Sequence, residues 1–219
     1  MSGFFISFEG NEGSGKSTQI GLLAERLRRA GRLVTQLREP GGTPIGEEIR
    51  HTLKHSSANH AMTPETELLL MNASRAQLVR EVIRPALAGG HVVLCDRFYD
   101  STVVYQGYGR GLPMNLVLSI IEAAVGETRP DLTLLLDIPL ATSELRRISR
   151  LGSQPAIRDR FEEAERSFFE RIERGYRQVA AADPRRIQVV DATRAVAEVH
   201  EAIWQWVAAR LPAPACGAS

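Results

Sequence analysis

The chain has 219 residues, 43% of them hydrophobic and 24% charged, with a formal net charge of +1; that length suits one domain with an ample core. The near-neutral balance gives no bulk field for nucleic acid or for an anionic membrane surface, so neither is expected as a partner. Two cysteines, Cys95 and Cys216, are too few for a disulfide framework, and with no secretory signal or bilayer-length apolar run a cytoplasmic setting is expected.

The first apolar run, Phe4 to Phe8, reads as a strand. "GNEGSGKST" follows it, and Gly10, Gly15, Lys16 and Ser17 fit the pattern G-x-x-x-x-G-K-[ST]. Each part has a physical task. The glycines let the backbone N–H groups of the whole segment (Gly10, Asn11, Glu12, Gly13, Ser14, Gly15, Lys16, Ser17 and Thr18) curl round phosphates. Lys16 reaches the terminal phosphates, and the Ser17 hydroxyl serves a magnesium ion. The helix expected over Lys16 to Ala30 points its positive dipole end at the anion. These residues predict ATP or GTP binding and leave switch, motor and transferase open. Glu12 is anomalous, because a carboxylate repels phosphate.

A second strand, Leu33 to Leu37, leads into "REPGGTPIGEEIR", residues 38 to 50, and a helix over Ile45 to Leu53. Its glycines bring backbone close to something and Arg50 ends the segment, but taken alone it reads as a tight connection with surface charges. The next helix spans Glu65 to Leu87, with Thr63 as its cap and Pro64 at its first position. Leu68, Met71, Leu78, Val79 and Val82 form one stripe at helical period, and Arg75 falls inside it. A buried arginine needs a partner. It is either an ion-pair residue, with Glu67 as a candidate, or a side chain facing a ligand pocket.

The strand His91 to Cys95 delivers "DRFYDSTVVYQGYGRG", residues 96 to 111, which reads as turn-rich. Asp96 stands at the C-terminal strand end, where ligands bind in open α/β sheets. It reads as the second magnesium-side carboxylate, with a helix cap or a partner for Arg97 as the plainer alternative. Arg97, Ser101, Thr102, Tyr105, Gln106 and Arg110 supply anion forks, hydroxyls and an aromatic, a set fit for a second polar ligand. Then come a helix over Asn115 to Val125, a strand over Leu132 to Leu136 and a helix over Ser143 to Leu151. "RLGSQPAIRD", residues 150 to 159, reads as a mobile flap. A helix over Arg160 to Ala182, a strand over Ile187 to Val190 and a helix over Val196 to Leu211 complete the chain before a flexible tail at 213–219. The alternation predicts an α/β fold with a five-stranded parallel sheet and right-handed crossovers, in one domain over 1–212.

Taken together, "FEGNEGSGKST", "REPGGTPIGEEIR", "ASRAQLV", "DRFYDSTVVYQG", "DRFE" and "VVDAT" resemble the thymidylate kinase family, bacterial type. The resemblance runs in order from Phe4 to about Leu211. The second and fourth motifs separate this family from adenylate, guanylate and uridylate kinases. It implies a three-layer P-loop NTPase fold with a short lid at about 146–160, transfer of the ATP γ-phosphate to dTMP with Mg²⁺, and a homodimer. By motif, Arg97 and Arg50 resemble the pair that grips the dTMP phosphate, and Arg75 resembles the reader of the thymine carbonyl. Thr102 resembles a contact to the base edge, and Tyr105 the ring that fills the place of a ribose 2′-OH. Ser101 belongs to the same acceptor set. Glu12 resembles an acid that lies by the acceptor's 3′-OH, which answers the anomaly, since a carboxylate accepts from a hydroxyl. Ser17 and Asp96, the latter through water, resemble the magnesium side.

Two departures stand out. Met71 replaces the usual phenylalanine before the base-reading arginine, and Val104 gives "VYQG" for the usual "AYQG". The phosphate loop also has no basic residue between Gly10 and Gly15. The resemblance therefore assigns transition-state arginines to the lid. Arg147, Arg150, Arg158 and Arg160 are the candidates, and Arg146 or Arg147 is a candidate to lie over adenine. The catalytic set is then Lys16, Arg97, Arg147 and Arg150. The rivals are a kinase for another deoxynucleotide or a nucleoside, and a nucleotide-dependent switch. Paired Arg50 and Arg97 favour an acceptor that already carries phosphate.

Overall fold

The computed structural model describes residues 3–151 and 166–212. Its strands are β1 (Phe4–Glu9), β2 (Val34–Arg38), β3 (Val92–Asp96), β4 (Leu132–Asp137) and β5 (Ile187–Asp191). The helices in the first half are α1 (Lys16–Arg29), α2 (Pro44–Lys54), α3 (Pro64–Leu78), α4 (Arg84–Ala88) and α5 (Tyr99–Thr102). In the second half they are α6 (Met114–Val125), α7 (Leu140–Leu151), α8 (Arg166–Ala182) and α9 (Val196–Ala208). All strand pairs are parallel in the order β2-β3-β1-β4-β5. The five strands and the α/β class match the expectation.

The sheet explains its own sequence. β1 is central and wholly buried, so it reads as an unbroken apolar run. Its alternate side chains serve opposite faces. Phe4, Ile6 and Phe8 pack with Leu23 and Leu27 of α1 and Ile203 of α9. Phe5 packs on the other side with Val93, Cys95 and Phe98, against Leu68 of α3 and Val117 of α6. By the same period Ser7 and Glu9 belong to this second face. β2 is an edge strand and stays half exposed. Thr43 and Thr63 cap α2 and α3 by accepting from Gly46 N and Thr66 N, each with proline at the first helical position.

Two expectations need correction. The helix expected over Glu65 to Leu87 is interrupted by a π-helical stretch, Val79–Ile83, before α4. Pro85 has no N–H to donate, and its ring would crowd the carbonyl one turn back; the wider π turn accommodates both. The "turn-rich" segment after Asp96 is helical, as α5 followed by a π-helix over Val103–Gly109. Residues 99–107 are all buried, so the segment shows no amphipathic stripe to read.

Candidate active site

Parallel pairing aligns Phe8 with Asp96, so β1 and β3 release their chains at the same edge of the sheet. The loop 10–15 leaves β1 there. Gly10 has φ 130°, and a Cβ on it would lie 2.4 Å from the Leu136 carbonyl oxygen; only glycine permits that turn. Gly15, at φ 91°, precedes α1 and gives it no side-chain cap. The first N–H groups of α1 are left to face an anion. Lys16 turns back over the loop, its Nζ donating to the carbonyl oxygens of Gly10 and Asn11 at 3.0 Å each. Burial, then the nearby Arg97, brings the Lys16 pKa down to about 7 against the pull of Asp96. Ser17 Oγ donates to Asp96 Oδ2 at 3.0 Å, so those two hard oxygen donors sit side by side. Behind the loop, Ser143 Oγ donates to the Glu12 carbonyl at 2.6 Å, and Arg146 donates to the carbonyls of Gly13 and Ala192.

A cavity of about 520 Å³ runs from this loop to α3 and the segment after β3. It is lined by six basic side chains (Lys16, Arg38, Arg50, Lys54, Arg75, Arg97) and three acidic ones (Glu12, Glu39, Asp96). The surplus of positive charge suits a polyanionic ligand. Gly13, Gly15, Ser17 and Thr18 form its loop end, and Met71, Ser101, Thr102, Tyr105 and Gln106 its far end. Arg50 donates to the Pro40 carbonyl at 2.9 Å. Arg75, 2% exposed, lines the cavity and is also a buried ion-pair residue. Its partner is Glu39, not Glu67: Nη2 lies 2.7 Å from Glu39 Oε2. Nη1 donates to Asn72 Oδ1 and Thr102 Oγ1 at 2.9 Å each. Glu67 pairs instead with Arg110 and accepts from Gln106. Burial raises the Glu39 carboxyl above the usual range, with Arg75 opposing the shift, as expected when desolvation of an ion pair competes with its attraction.

Arg97 has φ 69°, the one non-glycine residue in the left-handed region among the described residues. A side chain in that region costs about 1–2 kcal/mol. Its main chain is held by Arg97 N donating to the Phe8 carbonyl at 2.9 Å and Phe98 N donating to Glu9 Oε1 at 2.8 Å. Its side chain donates from Nη1 to Ser101 Oγ and Tyr176 Oη, 3.0 Å each, and lies 5.0 Å from the Tyr105 ring centroid. Glu9 is 1% exposed. Burial, and then Asp100, raises its pKa to about 7 despite the neighbouring Arg97.

The structure thus brings Glu12, Lys16, Ser17, Asp96, Arg97, Arg50, Arg75, Met71, Ser101, Thr102 and Tyr105 to one cavity. Gly10, Asn11 and Ser14 belong to the loop but not to the cavity wall. Arg110 also stays outside, on Glu67. Arg147 and Arg150 fall on α7, with side chains outside the described part, and Arg158 and Arg160 lie outside the described residues. Sequence reasoning missed Glu9, Glu39, Lys54 and Tyr176. Only Glu9 left a signal: an acid closing the apolar run "FFISFE", in phase with the buried Phe5.

Comparison with known proteins points one way. A family model described as thymidylate kinase matches residues 8–203. The thymidylate kinase of Geobacter sulfurreducens is 48% identical over 211 residues, covering 96% of this chain and 99% of that protein. That of Syntrophotalea carbinolica is 50% identical over 203 residues, covering 92% and 93%. The crystal structure of thymidylate kinase from Ehrlichia chaffeensis superposes with a TM-score of 0.75 at 29% identity, covering 95% of this chain and 99% of that one.

Proposed function

This chain belongs to the thymidylate kinase family, and we infer that it is an ATP:dTMP phosphotransferase that makes dTDP and ADP. The observation that carries the reading is one cavity with a phosphate loop at one end and a basic, hydroxyl-rich acceptor wall at the other. Phosphoryl transfer needs alignment and charge balance more than covalent help. Lys16 and the first N–H groups of α1 are read as holding the ATP phosphates, and Arg97 with Arg50 as holding the acceptor phosphate opposite. Arg75, clamped by Glu39, Asn72 and Thr102, is read as the donor to the thymine carbonyl, with Met71 against the base and Thr102 at its edge. Glu12, on the cavity wall, is read as the acceptor of the 3′-OH proton.

The Ser17 hydroxyl and the Asp96 carboxylate fit Mg²⁺. Both are hard oxygen donors, and no group of three or more His, Cys, Asp or Glu among the described residues offers a rival cage. Mg²⁺ commonly takes few protein ligands and completes its shell with water and phosphate. Ser17 and Asp96 would hold it beside the phosphate loop, where its positive charge would offset charge on the phosphates. The remaining positive charge at the transition state is assigned to Arg147, Arg150 and the other arginines up to residue 160, in a lid at about 146–160 of a single domain over 1–212. Arg146 or Arg147 is assigned to the adenine.

A homodimer is proposed through α2, α3 and α6, where Ile45, Leu69 and Leu118 are each about half exposed; sedimentation equilibrium reads it directly, and a monomer at all concentrations overturns it. No described helix is long and apolar enough to cross a membrane. Cys95 is a buried free thiol, which suits the proposed cytoplasmic setting.

The functional reading is tested by ADP release over a panel of nucleoside monophosphates. dTMP is expected to give the highest kcat/KM, and a different best acceptor overturns the assignment. The sugar site gives a finer check. Tyr105 is 8% exposed, with its ring edge-on to Phe168 and Tyr176, so it cannot swing aside for an added hydroxyl. Tyr105→Ala should narrow the preference for dTMP over its ribose form by roughly tenfold. An unchanged kcat/KM ratio removes Tyr105 from the sugar site.

A further inference from the structure

Glu9 lies outside the cavity wall, yet three hydrogen bonds from three elements converge on its carboxylate. Phe98 N, just past β3, donates to Oε1 at 2.8 Å. Ser101 Oγ, from α5, donates to Oε2 at 2.5 Å, and Tyr176 Oη, from α8, donates to Oε2 at 3.1 Å. The same two hydroxyls accept from Arg97 Nη1. We propose that Glu9 is the positioning residue for Arg97, setting both the left-handed turn of its main chain and the direction of its guanidinium. What Arg97 grips rests on the functional reading above.

The directions of these bonds follow from the protons available. A hydroxyl has one hydrogen and two lone pairs. The two hydroxyls lie 3.2 Å from each other, but an ionised carboxylate is the stronger acceptor, so with both hydrogens on Glu9, Ser101 and Tyr176 offer Arg97 only lone pairs. An ionised Glu9 therefore makes both hydroxyls into acceptors and aims one guanidinium nitrogen at them. The Phe98 contact acts on the backbone. Arg97 N is held by the Phe8 carbonyl and the next N–H by the Glu9 side chain, so both donors flanking the strained φ are tied to the end of β1. Glu9 immediately precedes Gly10, so the strand that launches the phosphate loop also orients the arginine opposite it. Around this cluster the charges are Asp100 on α5, itself paired with Arg186 at 2.6 Å, Lys16 at the start of α1, and Asp96 at the end of β3, which faces Arg97. Asp100 is tied to Arg186, which leaves the Glu9 carboxylate as the acceptor for Phe98, Ser101 and Tyr176.

Glutamine at this position breaks the pattern without changing shape. Its oxygen can still accept from Phe98 N, but its NH₂ cannot accept from a hydroxyl; one hydroxyl hydrogen can then turn to the other hydroxyl, 3.2 Å away, and the second is left to point toward Arg97. The test is a kinetic cycle of Glu9→Gln with Arg97→Ala, run with the acceptor that gives the highest wild-type turnover in the panel. Failure with dTMP itself then falls on the functional reading alone, and the coupling is still measured. Glu9→Gln should raise KM for the acceptor at least tenfold while KM for ATP stays within twofold. In the Arg97→Ala background the same change should add less than twofold. Equal increases in both KM values, or a full additive cost without Arg97, overturn the proposal in favour of a general structural role. If Glu9→Gln does not fold, Tyr176→Phe takes its place in the cycle. It should raise the acceptor KM about threefold with Arg97 present and leave it unchanged without it; additivity there overturns the proposal equally.

Discussion

Lys16→Ala is expected to lower kcat for phosphoryl transfer by at least ~10³-fold and to leave the protein folded. Lys16 is 7% exposed, but among the described residues its ammonium bonds only the loop itself, at the Gly10 and Asn11 carbonyls and Ser14 Oγ. Losing it leaves carbonyl lone pairs less satisfied, which proteins tolerate better than orphaned N–H groups. The loss at the transition state is different in kind. A buried ammonium in a low-dielectric pocket is worth far more to a migrating phosphoryl group than the same charge in water. Its pKa of about 7 sharpens the point, because phosphates arriving at the loop oppose the desolvation and return the group to its charged form. Rapid-quench measurement of the chemical step, beside a thermal melt, separates the two effects. A kcat within tenfold of wild type would remove Lys16 from the reacting centre.

The second expected result is an asymmetry between the two halves of the Arg75–Glu39 pair. Both side chains are almost wholly buried, 2% and 3% exposed. Glu39→Ala strands a guanidinium that cannot shed its charge, so unfolding should become easier by about 3–5 kcal/mol. Arg75→Ala strands a carboxyl that burial already holds above its usual range; it can take a proton and become neutral, so the stability cost should be clearly smaller. Binding should run the other way. If Arg75 donates to the thymine carbonyl, its removal forfeits a charged hydrogen bond of about 1.5–3 kcal/mol, a roughly 10- to 150-fold weaker dTMP Kd. Denaturant melts and calorimetry on the two variants measure both columns. Equal destabilisation by the two changes would contradict the protonation argument. A dTMP Kd unmoved by Arg75→Ala would return that residue to a purely structural part.

The alternation of apolar runs and helical stripes was enough to place all five strands: β1, β3 and β4 are buried on both faces and carry a continuous signal, while the edge strands β2 and β5 were placed by their position between helical stripes. The phosphate loop was equally open to reading, since a contiguous backbone cradle is written in contiguous residues. What lay hidden was assembled across distance. Glu39 and Arg75 are 36 residues apart and Glu9 and Tyr176 are 167 apart, and a single chain shows no trace of such pairings. Arg75 illustrates the boundary. Its misfit inside an apolar stripe announced that a partner existed, while the choice of Glu39 over the nearer Glu67 depends on how β2's loop packs on α3. The buried helical segment after Asp96 was misread for the opposite reason: with no exposed side it has no period.

Strand β1 divides its residues between two masters. Phe4, Ile6 and Phe8 answer to the hydrophobic layer with α1 and α9, while on the opposite face Phe5 packs in a second apolar cluster and Ser7 and Glu9 supply the polar contacts, Ser7 bonding Thr133 at 2.7 Å and Glu9 holding the Arg97 cluster. Sequence drift in this strand is therefore filtered by two independent criteria at alternating positions. An aliphatic swap at Ile6 is judged by volume alone, whereas an isosteric swap at Glu9 is judged by where a proton sits. A one-residue slip of register one way would bring Glu9 to Phe8's place in the apolar layer, and a slip the other way would bring Phe8 to Glu9's place against Arg97. That leaves little room for insertions within β1, however freely the surface varies.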